Sequence, residues 1–355
     1  MKILVVGALR YSNFGDILFA KMFYNELLKS YDKEDIFLYE TLVNKVSDFC
    51  KRELSYSNEF SIKDMKNIDK LIYISGGYFS NSFEDRFTKI LWHIRYALPG
   101  IYFSNHKKDI YVVGVGEGDF SWGISKKIVK KILNSAKYIS VRNEGTKDRF
   151  LNIGVTNQIN LTSDTALSLR TKTNKFDQRQ FFDDRKNILL HILPDEKYNS
   201  EITKKIFPAI YKFIMDKKNY KVILTTDGII SRKYDYYLEN ARKYFGEKNA
   251  YIINYESINQ FCEVLKSCEV IITPKLHVGI VASVFEKSVL AFSINYEKTK
   301  RFYETIQYGE RCYNLCDIQE KDVLNMLYKF SDIPIQIQDS CVEAAVNNLD
   351  ICKNL

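Results

Sequence analysis

The alternation of apolar segments along the chain constrains its fold more than any other feature of the sequence. Short apolar runs alternate with longer stretches of helical periodicity up to about residue 170, and the same alternation restarts at residue 188. This pattern is typical of parallel β-sheets whose faces are covered by helices. Because 355 residues also exceed the size of one typical core, we expect two α/β domains in tandem.

The sequence predicts strands and helices in both halves. The predicted strands are Ile3–Val6, Ile36–Tyr39, Leu71–Ile74, Ile110–Val115, Tyr138–Val141 and Ile159–Leu161, and then Ile188–Ile192, Lys221–Thr225, Tyr251–Ile253, Val270–Thr273 and Val289–Ile294. The predicted helices are Ile17–Lys29, Arg86–Tyr96, Lys126–Asn134, Glu144–Leu151, Ile202–Met215, Arg232–Phe245, Ile258–Lys266, Leu276–Phe285 and Glu320–Phe330. The polar, aperiodic stretch 171–187 is the best linker between domains 1–170 and 188–310. A helical segment over 311–355 could cross back to brace the first domain.

Composition and residue spacing argue against several functional classes. Lys plus Arg exceed Asp plus Glu by 52 − 44 = 8, but the basic residues are scattered, and no zinc-finger spacing, RNP-like motif or basic arm indicates nucleic acid binding. The seven cysteines form no CxxC pair, which favours reduced cytosolic thiols and no metal site. No apolar run is long enough to span a membrane, and the first residues are predicted to form a strand rather than a signal peptide.

In parallel sheets, ligands collect beyond the carboxyl ends of the strands, so the loops there are the candidate sites. After the first strand, Asp16 is a favourable N-cap for a helix that begins at Ile17, and Gly15 relaxes the turn. Alternatively, Asn13 and Asp16 offer hydrogen-bonding groups to a polar ligand. After the third strand, Gly76 and Gly77 make either a simple turn or an anion-binding nest of backbone amides.

Two further loops carry charged residues. Arg142 directly follows a strand, where it could grip a carboxylate or phosphate, although a surface salt bridge is the simpler interpretation. Asp164 follows a short strand and is expected to cap the next turn. The run of Gly114, Gly116 and Gly118 indicates only backbone freedom, because neither it nor the first loop contains a dinucleotide-binding fingerprint.

The segment TPKLHVGIVASVFEKS, residues 273–288, is the sharpest candidate site. Pro274 fits the start of a helix, which places Lys275, Leu276 and His277 in or near its first turn. A helix N-terminus attracts anions, and a lysine and a titratable histidine beside it would make an oxyanion or phosphate site. The other three histidines, at positions 93, 106 and 191, are expected to be ordinary core or surface residues.

An ordered series of motifs resembles the polysaccharide pyruvyl transferase family. Its elements are SNFGD, SGGY, GVGEGD, VRNEGT, SDTAL, TPKLHVGIVASV and INYEKTKRFYETI, which together cover about residues 1–310. The resemblance implies a GT-B-like fold of two Rossmann-like domains facing across a cleft. It also implies transfer of a pyruvyl group from phosphoenolpyruvate, a co-substrate, onto a sugar as a ketal, without a further cofactor or a metal.

The resemblance assigns roles to the candidate residues. His277 and Asp16 are the expected catalytic residues, and Asn13, Gly15, Gly76 and Gly77 are expected on the acceptor side. The expected donor-binding residues are Arg142, Lys275, Leu276, Lys298 and Lys300. The chain departs from the family at Lys275, which stands where an arginine is usual, and at VRN and DTA, which stand for VRD and DPA. Lysine keeps the positive charge but loses the two-pronged grip.

Two other functions remain open at the level of sequence. A GT-B glycosyltransferase would bind a nucleotide sugar through the same helix N-terminus, and a noncatalytic glycan-binding protein could retain the fold. The expected partners are phosphoenolpyruvate and a sugar or lipid-linked oligosaccharide, with no nucleic acid. We expect a cytoplasmic protein that could act at the inner face of the cell membrane, and the sequence selects no acceptor sugar or oligomeric state.

Overall fold

The chain forms two compact units, each built on its own parallel sheet. The computed structural model describes residues 1–79, 86–116, 123–177, 183–228, 232–293 and 296–355. Unit 1 comprises Met1–Ser168 and Ser340–Leu355, and unit 2 comprises Leu169–Asp339. Each unit contains one sheet of six described strands. The predicted class, α/β with two Rossmann-like domains, is confirmed.

The sheet of unit 1 has the order β2-β1-β3-β4-β5-β6, and its strand pairs are parallel. Its strands are β1 (Ile3–Val6), β2 (Ile36–Leu38), β3 (Lys70–Tyr73), β4 (Asp109–Val115), β5 (Tyr138–Val141) and β6 (Asn160–Leu161). The helices that connect them are α1 (Phe14–Leu27), α2 (Asp48–Glu53), α3 (Arg86–Trp92), α4 (Leu98–Asn105), α5 (Gly123–Asn134) and α6 (Glu144–Asn152). A π-helical turn, His93–Ala97, joins α3 to α4, and the 3-10 segments are Lys33–Asp35 and Ile62–Asn67.

The sheet of unit 2 has the order β12-β11-β10-β7-β8-β9, again with parallel pairs. Its strands are β7 (Lys186–His191), β8 (Tyr220–Thr225), β9 (Ala250–Ile252), β10 (Val270–Thr273), β11 (Ser288–Ser293) and β12 (Cys312–Asn314). Its helices are α7 (Glu196–Lys217), α8 (Arg232–Phe245), α9 (Ile258–Lys266), α10 (Leu276–Val284), α11 (Tyr296–Thr305) and α12 (Glu320–Phe330). Counted within the unit, this is the Rossmann order 3-2-1-4-5-6.

The strands are buried on both faces, which explains why they appear in the sequence as continuous apolar runs. β8, β10 and β11 are buried along their whole length. Burial of an apolar side chain contributes roughly 1.5–3 kcal/mol, so these short strands contribute strongly to the stability of their sheet.

The C-terminal segment is divided between the two units. Helix α12 packs against α7 in unit 2 through apolar residues of both helices, including Leu327 and Phe213. The last helix, α13 (Asp339–Asp350), and the 3-10 turn Ile351–Lys353 belong to unit 1. There Asn348 is fully buried, and the main-chain carbonyl of Leu355 accepts a hydrogen bond from Tyr31.

The boundaries differ from prediction where polar or very short segments are involved. The region expected to be a linker, 171–187, contains the end of a 3-10 segment, Thr165–Lys175, and the first residues of β7. The three-residue strand β12 and the helices α2, α4, α11 and α13 did not emerge from periodicity. Glu117 and Gly118 of the glycine-rich run, and Ile294 at the end of a predicted strand, lie outside the described residues.

None of the helices in the described part of the chain combines the length and apolar character that crossing a membrane requires.

Candidate functional site

The topology of unit 2 identifies one edge of its sheet as the place for a ligand. The chain builds β7, β8 and β9 in one direction and then returns to place β10 on the other side of β7. The loops after β7 and β10 therefore diverge, and this switch point is where α/β proteins bind ligands. The residues that end these two strands, His191 and Thr273, lie on neighbouring strands and are in hydrogen-bond contact, with Nδ1 and Oγ1 2.9 Å apart.

The turn from β10 into α10 is fixed by Thr273. Its hydroxyl accepts a hydrogen bond from the Lys275 amide at 3.1 Å, and Lys275 is the extended N-cap residue of α10. The helix then begins at Leu276, as predicted, so that His277 lies in its first turn. Both Lys275 and His277 are half-buried. A cation and an imidazole therefore accompany the amides of the first turn, which favour negative charge.

A buried carboxylate joins this corner to the end of β7. Asp227, two residues beyond the end of β8, accepts a hydrogen bond from His191 at 3.2 Å from Nε2 to Oδ1. Its other oxygen lies 3.6 Å from the Lys275 ammonium. The side chain of Asp227 is only 4% exposed and that of His191 is 0% exposed, whereas that of Lys275 is 36% exposed. Lysine therefore connects a buried negative charge to solvent.

The charge of Asp227 is maintained by its partners. Burial alone would raise the pKa of its carboxyl, but contacts with His191 and then Lys275 lower the pKa to about 2. Burial, followed by the repulsion of this carboxylate, raises the pKa of Tyr234 on α8 to about 12. Asp227 is thus an anion and Tyr234 a neutral phenol at neutral pH, and the Lys275 ammonium lies beside this carboxylate.

The two lysines predicted after β11 lie on α11. Lys300 is 3.7 Å from Glu304 on the same helix, and its ammonium lies 5.2 Å from the ring centroid of Tyr296. A hydrogen bond to Tyr296 raises the pKa of Lys300, so this residue remains charged. Lys298 is half-buried on the same helix. The described contacts therefore tie Lys300 to its own helix.

Unit 1 has its own switch point, between β1 and β3, and the predicted acceptor residues lie in the loops there. The prediction that Asp16 caps a helix beginning at Ile17 is wrong. Asn13 is the N-cap of α1, since its side chain accepts from the Gly15 amide at 3.1 Å, and the helix begins at Phe14. Asn13 competes successfully for this position because its short amide reaches the free N–H groups. Asp16 consequently lies inside the first turn and is half-buried.

Tyrosine rings flank Asp16 in unit 1. The rings of Tyr78 and Tyr96 stack with centroids 5.0 Å apart. Burial, followed by the negative charge of Asp16, raises the pKa of Tyr96 to about 12. Burial, followed by the nearby Tyr73, Tyr96 and Asp16, raises the pKa of Tyr78 well above its ordinary value. Asp16 therefore lies near two neutral phenols, of which Tyr78 is buried and Tyr96 is half-buried.

The first of the paired glycines after β3 packs against the ring of Tyr78. A β-carbon at Gly76 would lie 2.5 Å from the ring of Tyr78, so only glycine allows the ring to pack here. The Gly76 carbonyl accepts from the Gly116 amide at 2.9 Å, which extends the sheet beyond β3. Gly77 is exposed. Packing thus accounts for Gly76.

Arg142 is buried rather than placed in a surface salt bridge. Its guanidinium donates to Asp164 at 2.8 Å, and the two side chains are 6% and 4% exposed. The guanidinium also lies against Gly116, where a β-carbon would overlap it. Asp164 accepts from the Ala166 amide at 3.1 Å as well, in agreement with its expected capping role. The positive charge of Arg142 is therefore already matched by a carboxylate.

His191, Asp227 and Thr273 were missed as site residues by sequence reasoning. Their common signal is position, because each lies at or just beyond the end of β7, β8 or β10, which are neighbouring strands around the switch point. Among the described residues, no group of three or more histidines, cysteines or acids could hold a metal ion. The seven cysteines all lie among the described residues and form no disulfide.

Comparison with known proteins identifies the family. A family model described as polysaccharide pyruvyl transferase matches residues 13–296. The chain belongs to the polysaccharide pyruvyl transferase family. A search among curated proteins found no match.

Solved structures similar to this family member confirm the fold. The UDP-GlcNAc 2-epimerase of Methanocaldococcus jannaschii, in complex with UDP-GlcNAc and UDP, has a TM-score of 0.63 at 14% identity, over 100% of both chains. A structure described as S. aureus MnaA with UDP also has a TM-score of 0.63 at 14% identity, over 100% of this chain and 98% of the other. At this identity, the likeness shows a shared GT-B-like fold alone.

Proposed function

We propose that this protein transfers a pyruvyl group from phosphoenolpyruvate onto a sugar of a bacterial-type surface polysaccharide or its lipid-linked precursor. Membership of the family supports transfer to a polysaccharide. The observation that carries the donor assignment is the first turn of α10, where Lys275 and His277 lie at the N-terminus of a helix. Phosphoenolpyruvate has both a phosphate and a carboxylate, and these anions suit a lysine at a helix N-terminus.

The reaction needs proton transfer rather than redox chemistry. A proton adds to the methylene carbon of phosphoenolpyruvate, and a sugar hydroxyl attacks the cationic carbon and loses its proton. The bond to phosphate then breaks, a second sugar hydroxyl attacks the same carbon and loses its proton, and the ketal is closed. His277 is the proposed acid and base, and such proton transfer typically contributes about 10² to 10⁴ in rate. Asp16 would orient or deprotonate the acceptor hydroxyls, and Asn13 would orient them by hydrogen bonding.

The other predicted donor-binding residues are assigned to the donor as part of the same proposal. Lys298 and Lys300 on α11 and Leu276 in the first turn of α10 would complete the donor site of unit 2. Arg142 in unit 1 keeps the donor-binding role that the resemblance implies, with its charge matched by Asp164. Gly15 and Gly77 are proposed on the acceptor side. The scheme uses phosphoenolpyruvate as a co-substrate and assigns no step to a cofactor.

An exposed apolar turn supports a lipid-linked acceptor at a membrane surface, and hence a cytoplasmic enzyme at the inner face. Hydrogen bonds between Thr41 and Asn44 close a turn that leaves the Leu42 side chain 94% exposed. Arg10 and Arg95 both donate to the carbonyl of the next residue, Val43, at 3.2 and 3.3 Å. An ordered apolar tip with two guanidinium groups suits an interface between anionic lipid head groups and acyl chains.

The deciding experiment is a transfer assay with phosphoenolpyruvate and a panel of lipid-linked and nitrophenyl sugars, read by mass spectrometry for the gain of a pyruvate ketal. We expect a ketal with at least one acceptor. His277→Ala should abolish the gain and leave the melting temperature unchanged, whereas a histidine with only a packing role would lower it. Lys275→Arg should preserve or improve donor binding. Loss of transfer in a folded Lys275→Arg variant would contradict the donor assignment.

A glycosyltransferase that uses a nucleotide sugar is the second candidate. It is favoured by one observation, since the two similar structures named above contain UDP or a UDP sugar. Thermal shift with phosphoenolpyruvate against UDP sugars separates the two functions, because the true donor stabilises the folded protein at saturating concentration. Stabilisation by neither donor, together with stabilisation by a glycan, would instead indicate a noncatalytic glycan-binding protein.

A further inference from the structure

We propose that His191 and Asp227 are positioning residues that hold the Lys275 ammonium in place for the anionic donor. This inference rests on the proposed function, because it assigns a second layer of residues to the same donor site. The four residues His191, Asp227, Thr273 and Lys275, named here the switch-point ring, are contributed by β7, by β10 and by the loops that follow β8 and β10.

Each member of the switch-point ring contacts the next, so that the four contacts close a ring. The Lys275 amide donates to the Thr273 hydroxyl, which lies 2.9 Å from His191 Nδ1. His191 Nε2 lies 3.2 Å from one oxygen of Asp227, and the other oxygen lies 3.6 Å from the Lys275 ammonium. In the tautomer that has its proton on Nε2, the imidazole donates to the carboxylate and accepts at Nδ1 from the threonine hydroxyl. Each donor then has an acceptor.

Burial shows which members of the ring can reach a ligand. His191 and Asp227 are almost completely buried, so neither presents a polar atom to a large substrate. Lys275, with about a third of its side chain exposed, has one side toward Asp227 and another toward solvent. A separation of 3.6 Å is an ion pair rather than a short hydrogen bond, so the ammonium protons can still be directed to an incoming phosphate or carboxylate.

The chemistry of lysine explains why such support is needed. An arginine offers a rigid, planar group that matches a phosphate or carboxylate with two parallel hydrogen bonds. A lysine is a point charge on a flexible four-carbon chain, and it loses rotamer freedom when it is fixed. A buried carboxylate at a defined position restricts that chain before the donor arrives. His191 in turn prevents Asp227 from rotating, because it holds the other oxygen.

The test is a double-mutant cycle on the full-length protein. Asp227→Asn is nearly isosteric and still offers an acceptor to His191, but it lacks the charge that attracts Lys275. We expect it to raise the Kd and the KM for phosphoenolpyruvate about tenfold, which is the effect of one charge-assisted contact, with a much smaller change in kcat. In a Lys275→Met background the same substitution should change the Kd less than twofold, because no ammonium remains to be positioned.

A second ion pair in the same unit provides the control. Asp183 lies 2.9 Å from the ammonium of Lys221, which is fully buried near the start of β8, at the opposite end of that strand from the ring. Asp183→Asn also removes one carboxylate paired with a lysine, so it reproduces the loss of charge without touching the ring. We expect it to leave the Kd for phosphoenolpyruvate within twofold of wild type.

Three outcomes would overturn the inference. Equal fold-changes for Asp227→Asn in the wild-type and Lys275→Met backgrounds would show that Asp227 acts independently of Lys275. Unchanged or tighter donor binding in Asp227→Asn would show that the carboxylate only neutralises charge. Equal weakening by Asp183→Asn would show a general loss of structure.

The same cycle measured with UDP and inorganic phosphate separates this inference from the proposed function. If the wild type binds UDP and not phosphoenolpyruvate, the pyruvyl donor is wrong, and coupling between Asp227 and Lys275 on the Kd of UDP would still support the ring. If transfer from phosphoenolpyruvate is observed but Asp227 and Lys275 are not coupled, the positioning role of the ring is wrong and the proposed function stands. Failure of the wild type to bind any of the three anions would overturn both.

Discussion

Replacement of Asn348 by alanine should destabilise unit 1 without affecting unit 2. Asn348 lies on α13, in the C-terminal segment that belongs to unit 1, and its side chain is fully buried. Its amide nitrogen donates to the Ser163 carbonyl and the Thr165 hydroxyl, both at 3.0 Å. Its oxygen accepts from the Ser140 hydroxyl at 2.8 Å. This one side chain therefore joins the last helix to segments that lie about two hundred residues earlier.

The size of the effect follows from these three bonds. A hydrogen bond contributes about 1 kcal/mol net, and a buried group that loses its partner costs about 1–3 kcal/mol. The hydroxyl groups of Ser140 and Thr165 retain other contacts, since Ser140 accepts from the Gly114 amide and Thr165 contacts Ser75. We therefore expect Asn348→Ala to lower the free energy of unfolding of unit 1 by about 3 kcal/mol, near the sum of three ordinary bonds.

Tryptophan fluorescence during urea unfolding of the full chain measures this change. The two tryptophans, Trp92 and Trp122, are both outside unit 2, and Trp92 is buried in unit 1. With a urea m-value of about 2–3 kcal/mol/M, the midpoint should fall by about 1 M. Asn347→Ala is the matched control, because this neighbouring asparagine is exposed and its removal should change stability by less than about 0.5 kcal/mol.

A midpoint for Asn348→Ala within about 0.2 M of the Asn347→Ala midpoint would refute this reasoning. Such a result would mean that α13 contributes little to unit 1. Limited proteolysis provides an independent reading, since a weakened contact should increase cleavage near α13 at urea concentrations below the main transition.

Three further predictions concern α10, the buried acid and the exposed turn. Gly279→Ala should lower the free energy of unfolding by about 1–3 kcal/mol, because the added β-carbon would overlap the buried Tyr303 hydroxyl. Adding Tyr303→Phe should restore much of this loss. Glycine to alanine inside a helix usually stabilises by about 1 kcal/mol, and such a gain for Gly279→Ala would contradict the packing. The pKa of Asp227 is about 2 in the folded protein against an ordinary 3.8, so its ionisation contributes about 2 kcal/mol to the free energy of unfolding above pH 4, and this contribution is lost as the pH falls toward 2. In Asp227→Asn, the free energy of unfolding of unit 2 should therefore depend less on pH between pH 4 and 2. The same pH dependence as in the wild type would show that Asp227 is not its source. Leu42→Asp should reduce flotation with anionic phosphatidylglycerol vesicles severalfold, whereas Leu151→Asp, at another exposed leucine, should not; equal flotation of both variants and the wild type, or no flotation of the wild type, would argue against a membrane contact.

Sequence patterns located the strands well because burial on both faces leaves little choice of residue. β1, β5 and β10 begin and end where predicted, and the other predicted strands agree within two residues at each end. Helix α1 was misplaced at its start because two residues, Asn13 and Asp16, are both good caps, and only the backbone geometry selects between them. The edge strand β12 has only three residues and could not be recognised by periodicity.

The candidate site was only partly predictable, and the reason is physical. Lys275 and His277 are adjacent to a strand-to-helix turn that can be recognised locally. His191 depends on Thr273 and Asp227, which lie 82 and 36 residues away and become neighbours only through the strand order. A histidine at the end of an apolar run therefore has the same local signature whether it is inert or pairs with a carboxylate.

The strand order supplies a criterion that motif matching lacks. Lys275 and His191 follow the two strands that flank the switch point of unit 2, and Asn13 and Gly76 follow the two strands that flank the switch point of unit 1. Arg142 follows β5, two strands away from the switch point of its unit, and its charge is compensated by Asp164. Of the two cations, Lys275 thus combines the favoured position with an ammonium that is partly open to solvent. If Asp227 positions Lys275 as we propose, we expect lysine at this place to bind the same anionic donor as the arginine that is usual in the family. In such an anion site, the planar guanidinium of arginine is replaced by a single ammonium whose position is fixed by the buried carboxylate of Asp227.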